Sequence, residues 1–200
     1  TGAIAVSTMP MLRARELQQI VVKANIALAI CADELTGELA AILSTSPLRR
    51  IVSYGGAGRE LETAMAGKPS HFRAVPTSQD DVCLIAFTSG TTGEPKATMH
   101  FHRDVLGMCG SFARHIVTAD SHAIFTGTPS IAFTFVLGGL LVFPLYFRAA
   151  IALPASHTPT ALAQAIERYR ATHVFTSPTA YRAMTAWNNG TELGAEAQDR

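Results

Sequence analysis

Charged side chains are scarce in this sequence, and neither sign dominates. They make up 16% of the 200 residues, and sixteen Lys and Arg against fifteen Asp and Glu leave a formal net charge of +1. The basic residues are scattered along the chain, whereas a nucleic-acid-binding surface needs Lys and Arg clustered on one face. The composition therefore argues against nucleic acid as a partner and is typical of a globular protein of ordinary polarity.

Cysteine is also scarce. Cys31, Cys83 and Cys109 are an odd number, and each lies in an apolar or helical context without the spacing of metal ligands. A secreted disulfide framework calls for paired cysteines, and the first residues lack the charged flank and apolar stretch of a signal peptide. We therefore expect buried thiols and a cytoplasmic protein, and we expect the chain to be an internal piece of a longer one.

One long stretch lacks charge altogether. Residues 121–147 contain no Asp, Glu, Lys or Arg, and residues 131–147 are strongly apolar. A membrane-spanning helix needs ~20 apolar residues. Pro144 and the pair Gly138-Gly139 interrupt this stretch, and both residue types weaken a helix. The sequence therefore favours a buried core helix over a membrane span, and we expect no membrane partner.

Hydrophobic periodicity divides the chain into alternating strands and helices. Short apolar or β-branched runs predict strands at residues 3–7, 27–31, 50–53, 82–88, 150–153 and 173–176. Apolar residues recurring at three and four predict helices at residues 13–24, 33–43, 59–66, 103–115, 160–170 and 179–187. The alternation predicts an α/β fold, a mostly parallel sheet covered by helices. Residues 67–79, rich in Pro and Ser, are a candidate break between two subdomains.

A glycine- and hydroxyl-rich loop follows the predicted strand at 82–88. It contains Thr88, Ser89, Gly90, Thr91, Thr92, Gly93, Glu94, Pro95 and Lys96. Glycines let a backbone approach a ligand closely, amides and hydroxyls donate to phosphate oxygens, and a lysine adds a mobile charge. A Walker A loop would have Gly before the lysine and Ser or Thr after it, but Pro95 and Ala97 stand there. The sequence thus favours a phosphate-binding loop of another kind over a plain surface turn.

This loop resembles the phosphate loop of the adenylate-forming superfamily, which includes acyl-CoA and aryl-CoA synthetases. The likeness extends to residues 2–10 and 15–17 before the loop, and to residues 99–104 and 174–182 after it. One departure is Ala97, where the family usually has Gly. The resemblance implies that the chain is part of the large N-terminal domain of such an enzyme.

A second likeness concerns the bound acid. Residues 129–139, which include Phe133, Thr134 and Phe135, are similar to the acid-pocket segment of benzoate-CoA and 2-aminobenzoate-CoA ligases. The alternative is that these aromatic residues only pack in a core. The likeness implies that Phe133, Thr134 and Phe135 bind the substrate, an aromatic carboxylic acid.

The resemblance also implies a reaction. ATP, delivered with Mg²⁺, activates a carboxylate as an acyl-AMP, and coenzyme A then takes the acyl group as a thioester. Thr88, Ser89, Gly90, Thr91, Thr92, Gly93 and Lys96 would contact the phosphates, and Lys96 would act catalytically by neutralising charge on the leaving pyrophosphate.

Three other interpretations remain open at this stage. Gly55, Gly56 and Gly58 follow a strand and open a helix, which is typical of a dinucleotide-binding oxidoreductase, but Leu61 stands where the third motif glycine belongs. His100 and His102 alternate but lack companion ligands at zinc spacing. Finally, these residues include neither the superfamily's adenine and ribose contacts nor its mobile C-terminal domain. The 200 residues alone could therefore be a non-catalytic phosphate-binding fragment.

Overall fold

The chain forms two compact units in the computed structural model, which describes residues 1–88, 95–128 and 130–188. The first unit is Thr1–His102 and the second is Arg103–Arg200. The candidate break at residues 67–79 lies inside the first unit and stays a prediction.

The first unit alternates helices and strands. Its elements are α1 (Ala14–Lys23), β1 (Leu28–Ala32), α2 (Thr36–Ala40), β2 (Arg50–Tyr54), α3 (Glu60–Ala66), β3 (Val82–Thr88) and β4 (Lys96–Phe101). β1 pairs with β2 in parallel, and β3 pairs with β4 antiparallel. Short 3-10 turns at Asp33–Leu35 and Leu43–Thr45 flank α2.

The core of the first unit lies between α1, α2 and the β1–β2 pair. α1 places its apolar residues three and four apart, so Leu17, Ile20 and Val21 share one face and are buried. Leu39 of α2 and Leu48 join the same cluster. Burial of this face, rather than intrinsic helix propensity, accounts for most of the stability of such a short helix.

The second unit is built around a three-stranded parallel sheet. Its elements are α4 (His102–Met108), a π-helical continuation (Cys109–Val117), β5 (Ile124–Gly127), α5 (Thr134–Leu137), a second π-helical segment (Gly138–Val142), α6 (Phe143–Phe147), β6 (Ala150–Ile151), α7 (Pro159–Tyr169), β7 (His173–Phe175) and α8 (Pro178–Asn188). The strand order is β6-β5-β7, so β5 is central, and both of its pairings are parallel.

The core of this second unit combines aromatic and aliphatic side chains. Phe125 of β5 is fully buried and packs in one cluster with Val136, Phe143 and Ala113. Residues 134–147 form one continuous helical run with π-helical turns in its middle. The helix that the sequence predicts here is therefore present, but only one of its faces is buried, and Leu141, Leu145 and Tyr146 are exposed. In the described part of the chain, no helix is long and apolar enough to cross a membrane.

The α/β class is confirmed, but several predicted elements need correction. The strand predicted at residues 3–7 is reduced to a single parallel bridge between Ala5 and Leu84. The helix predicted at residues 33–43 is broken into a 3-10 turn and the five-residue α2. The strand predicted at 150–153 is only Ala150–Ile151 long. The strands predicted from the sequence do not include β4 or the central strand β5.

Candidate functional site

The predicted phosphate loop begins and ends on a β-hairpin. Thr88 is the last residue of β3, Lys96 is the first of β4, and the two are register partners. Cα atoms of directly opposed residues in an antiparallel pair are about 4.5–5.5 Å apart, and their side chains leave the same face. Thr88 and Lys96 are therefore neighbours on one face of the hairpin, and both are exposed. Ser89, Gly90, Thr91, Thr92 and Gly93 lie outside the described residues.

A lysine from α1 holds the exit of this loop. Lys23 Nζ donates a hydrogen bond of 2.7 Å to the carbonyl oxygen of Pro95, the residue immediately before Lys96. An open depression beside this contact is lined by Arg15, Gln18, Gln19, Val22, Lys23 and Pro95. The polar face of α1 thus places positive charge next to the end of the loop. No local sequence pattern connects Lys23 with the loop, because its partner Pro95 is 72 residues away.

The predicted acid-binding residues start the core helix of the second unit. Phe133 caps α5 with extended backbone angles of φ −88° and ψ 131°, and Thr134 and Phe135 form its first turn. All three side chains are exposed, Phe133 by 50% and Phe135 by 57%. The Phe135 ring also contacts the Phe175 ring, with centroids 5.5 Å apart and planes tilted by 52°. These side chains are accessible to a ligand, and one of them rests on the aromatic core.

Phe175 joins this segment to the sheet. Its ring lies 6.1 Å from the rings of both Phe125 and Phe143, measured between centroids. Gly139 makes room for it, since a Cβ atom there would lie 2.3 Å from the Phe175 ring. The sequence predicts the strand at residues 173–176 but not the contacts of Phe175. The alternation of side chains within a strand does not indicate which helix the ring will contact.

Polar side chains gather where the three parallel strands end. The Thr126 hydroxyl donates to the Ala152 carbonyl over 2.6 Å, and the Thr128 and Thr176 hydroxyls are 2.6 Å apart. His157 Nδ1 donates to the carbonyl oxygen of Thr128. All three threonines are buried. Ligands of α/β folds bind beyond the carboxyl ends of the strands, so these contacts lie at the functional edge of the sheet.

The glycine-rich turn after β2 is not arranged for a dinucleotide. The Gly55 amide donates to Glu62 Oε1 over 2.9 Å, and the Ser53 amide donates to Glu60 Oε2 over 3.3 Å. The hydrogen bond from Gly55 holds the pKa of the Glu62 carboxyl below its ordinary value. Two carboxylates thus occupy amides that a pyrophosphate would need and add repulsion against it. The oxidoreductase interpretation is not supported by this geometry.

The cysteines and histidines form no metal centre in the described residues, where no three His, Cys, Asp or Glu side chains are grouped as ligands. His100 Nε2 instead lies 3.3 Å from the Thr98 hydroxyl. Cys109 is buried, and burial raises the pKa of its thiol, whereas Cys31 and Cys83 are only half-buried. The expectation of buried thiols is therefore met at Cys109 alone.

Comparison with known proteins decides the family. Residues 1–200 match the family described as AMP-binding enzyme. This chain belongs to the AMP-binding enzyme family. The chain is 29% identical over 188 residues to the benzoate–CoA ligase of Thauera aromatica, covering 92% of the chain and 36% of that relative. It is 27% identical over 200 residues to the 3-hydroxybenzoate–CoA ligase of Aromatoleum sp. (strain CIB), covering 96% of the chain and 38% of that relative.

A solved AMP-binding enzyme has the same fold. The anthranilate CoA ligase AuaEII, in complex with anthranoyl-AMP, superposes with a TM-score of 0.84 at 26% identity, covering 92% of this chain and 36% of that one. The chain thus spans somewhat more than a third of the length of these AMP-binding enzymes. Membership in the family and the α/β architecture agree with the resemblance found in the sequence.

Proposed function

We propose that the full-length protein is an ATP-dependent acid–CoA ligase acting on an aromatic acid such as benzoate or 2-aminobenzoate. The observation that supports the proposal is the hairpin base formed by Thr88 and Lys96, which flank the predicted phosphate loop. The two curated relatives named above are ligases for benzoate and 3-hydroxybenzoate, which supports the acid class.

The first half-reaction is adenylation. A carboxylate oxygen of the acid attacks the α-phosphorus of ATP, and the bond to pyrophosphate breaks. Thr88, Lys96 and the loop residues Ser89, Gly90, Thr91, Thr92 and Gly93 would bind the phosphates. The Lys96 ammonium would offset negative charge that develops on the leaving pyrophosphate, and this effect is large in a site that excludes water. Through its hydrogen bond to Pro95, Lys23 would hold the end of the loop, and with it Lys96, at a fixed distance from α1.

The second half-reaction transfers the acyl group. The thiolate of coenzyme A attacks the acyl carbon, the bond to AMP breaks, and AMP leaves. Mg²⁺ enters with ATP as part of that substrate. The described residues do not fit a metal site of their own, since they contain no grouped set of three ligating side chains. No step is therefore assigned to a metal held by these residues.

The proposal is tested with the full-length protein and a panel of acids. We expect pyrophosphate release that depends on an aryl acid, and thioester formation only when coenzyme A is added. Acetate, hexanoate and a long-chain fatty acid serve as comparisons. Release with the alkyl acids but not with benzoate or its amino and hydroxy analogues would overturn the acid class, and release with no acid would overturn the reaction.

We also propose that Phe133, Thr134 and Phe135 contact the acid. Aromatic pairs gain about 0.5–1.5 kcal/mol beyond area burial, which favours a ring over an alkyl chain of similar size. Changing Thr134→Leu adds bulk at an exposed position of this segment, so we expect the KM for the aryl acid to rise far more than the KM for ATP. Selectivity between benzoate and a hydroxylated analogue should shift by about 1–3 kcal/mol.

A matched control for this test lies on α8. Thr185 is also exposed in a helix, and Thr185→Leu makes the same chemical change outside the segment. Thr185→Leu should leave the ranking of acids unchanged. If Thr134→Leu, Phe133→Ala and Phe135→Ala, each confirmed folded, also leave it unchanged, the acid pocket lies elsewhere.

A further inference from the structure

Thr128 is held from two sides at the end of β5. Its side chain and that of Thr176 share a hydroxyl hydrogen bond of 2.6 Å, and its backbone carbonyl accepts a hydrogen bond from His157. Thr128 and Thr176 are each only 7% exposed. Buried polar groups that lose a partner cost more than the net gain of making the bond, so these two contacts strongly favour one position for Thr128.

The three contact residues come from three separate parts of the chain. Thr128 follows β5, Thr176 follows β7, and His157 lies in the connection between β6 and α7. His157 thus ties that connection to the end of the central strand. The side chain itself is exposed at the surface, so its hydrogen bond is a specific contact at the edge of the sheet and not a consequence of core packing.

The predicted acid-binding segment, residues 130–135, starts directly beyond Thr128. Its last residue, Phe135, contacts Phe175 of β7. Phe175 is in turn the neighbour of Thr176 in the sequence. The segment is therefore attached to the sheet at two places, at its start through Thr128 and at its end through Phe135.

We propose that His157 is a positioning residue for the acid-binding segment, acting through the carbonyl of Thr128. This inference rests on the proposed function. A carbonyl oxygen only accepts, so Nδ1 of His157 carries the proton in this contact. Loss of that donor frees the start of the segment, and a side chain such as Phe133 then spends less time where it can contact a ring. A displacement of about 1 Å in a group that positions the substrate can lower the reaction rate about a hundredfold.

The geometry of the imidazole supplies a matched pair of variants. The amide nitrogen of Asn stands as many bonds from Cβ as Nδ1, whereas that of Gln stands where Nε2 would be. His157→Asn therefore keeps a donor near the Thr128 carbonyl, and His157→Gln moves it away. His157→Ala removes it altogether.

Kinetics of the full-length protein with benzoate give the first test. We expect His157→Gln and His157→Ala to raise the KM for the acid about tenfold, the scale of one lost hydrogen bond that leaves a buried acceptor unpaired. The KM for ATP should stay within about twofold, and His157→Asn should restore the KM for the acid. Equal behaviour of the Asn and Gln variants, or an equal rise in the KM for ATP, would overturn the proposal.

Hydrogen exchange of the same variants gives a second test that needs no activity. Backbone amides of residues 130–137 should exchange faster in His157→Gln and His157→Ala than in the unchanged protein, and not in His157→Asn. α3 of the first unit serves as the internal reference. If the unchanged protein turns over no acid, the proposed function fails while this measurement still decides the role of His157. Unchanged exchange at residues 130–137 in all three variants would overturn it.

Discussion

Lys96 combines two properties that suit a residue acting on pyrophosphate. It is fixed in the first position of a strand, opposite Thr88, and its side chain is nevertheless exposed. The backbone is held through the Lys23 contact to Pro95, so the freedom that remains belongs to the side chain. A flexible ammonium on a fixed backbone can follow a phosphate group as it leaves.

Changing Lys96→Ala in the full-length protein should slow adenylate formation about a hundredfold, the scale of removing one electrostatic contact to a transition state. Thioester formation from preformed acyl-AMP should change little, because pyrophosphate has already left. Single-turnover measurements of the two half-reactions separate these effects. Lys68→Ala, which removes an exposed lysine outside the loop, is the control. Equal slowing of both steps would contradict the role assigned to Lys96.

At the scale of elements, the second unit depends on a close fit between a π-helical segment and a strand. Gly139 faces the Phe175 ring so closely that a Cβ atom would lie 2.3 Å from it. Gly127 of β5 is under a similar constraint, since a Cβ there would lie 2.1 Å from the Phe175 carbonyl oxygen. The helix and the two strands can approach only because neither position carries a side chain.

We expect Gly139→Ala to lower the free energy of unfolding by about 1–3 kcal/mol, because the Phe175 ring or the backbone must move. Gly110 offers a matched control, since it also lies in a π-helical segment but a Cβ there would meet nothing within 4 Å. Gly110→Ala should be neutral or stabilise by up to about 1 kcal/mol. Denaturant unfolding of both variants measures the difference, and equal stability would contradict the fit described here.

Most helices could be predicted from the sequence, but two strands could not. α1, α3, α7 and α8 were predicted closely, because each has apolar residues at helical spacing. β4 was missing from the predicted strands because its sequence KATMHF lacks an apolar run, although the likeness at residues 99–104 implied the passage from a strand to a helix there. β5 escaped because it has only four residues and lies within the uncharged stretch 121–147, where no charged residue marks the change from strand to helix.

The candidate site also contains residues that a local motif indicates and residues whose contacts depend on the fold. Thr88 and Lys96 could be proposed from the sequence, since a motif is a local property, and their role in the site stays a prediction. The contacts of Lys23, His157 and Phe175 could not be predicted, since the partner of each is brought near only by the fold. Pairing of Thr128 with Thr176 spans 48 residues, and no periodicity in the sequence connects them.

At the scale of the whole molecule, the candidate break at residues 67–79 can be compared with the boundary between the two compact units at His102. The described residues 68–79 are exposed and belong to no helix or strand. Such segments are preferred sites of proteolysis. Arg103 at the unit boundary lies instead within α4 and is protected by helical structure.

Limited digestion with trypsin should therefore cut first after Arg73, since Lys68 precedes a proline and resists the enzyme. Mass spectrometry of the early products identifies the cut. Arg73→Gln should delay the first cleavage, and a first cut after Arg103 would instead favour the unit boundary as the more flexible point.

The central place of β5 has a consequence for synthesis of the chain. The backbone amide of Ile124 donates a hydrogen bond to the hydroxyl of Thr172, 48 residues later. β5 therefore leaves the ribosome well before β7, the strand that pairs with one of its edges. At about 5–20 residues per second, β5 waits roughly 2–10 s for that partner. During that time Phe125, fully buried in the finished protein, lies in a strand with one edge still unpaired, the kind of segment that chaperones protect from aggregation.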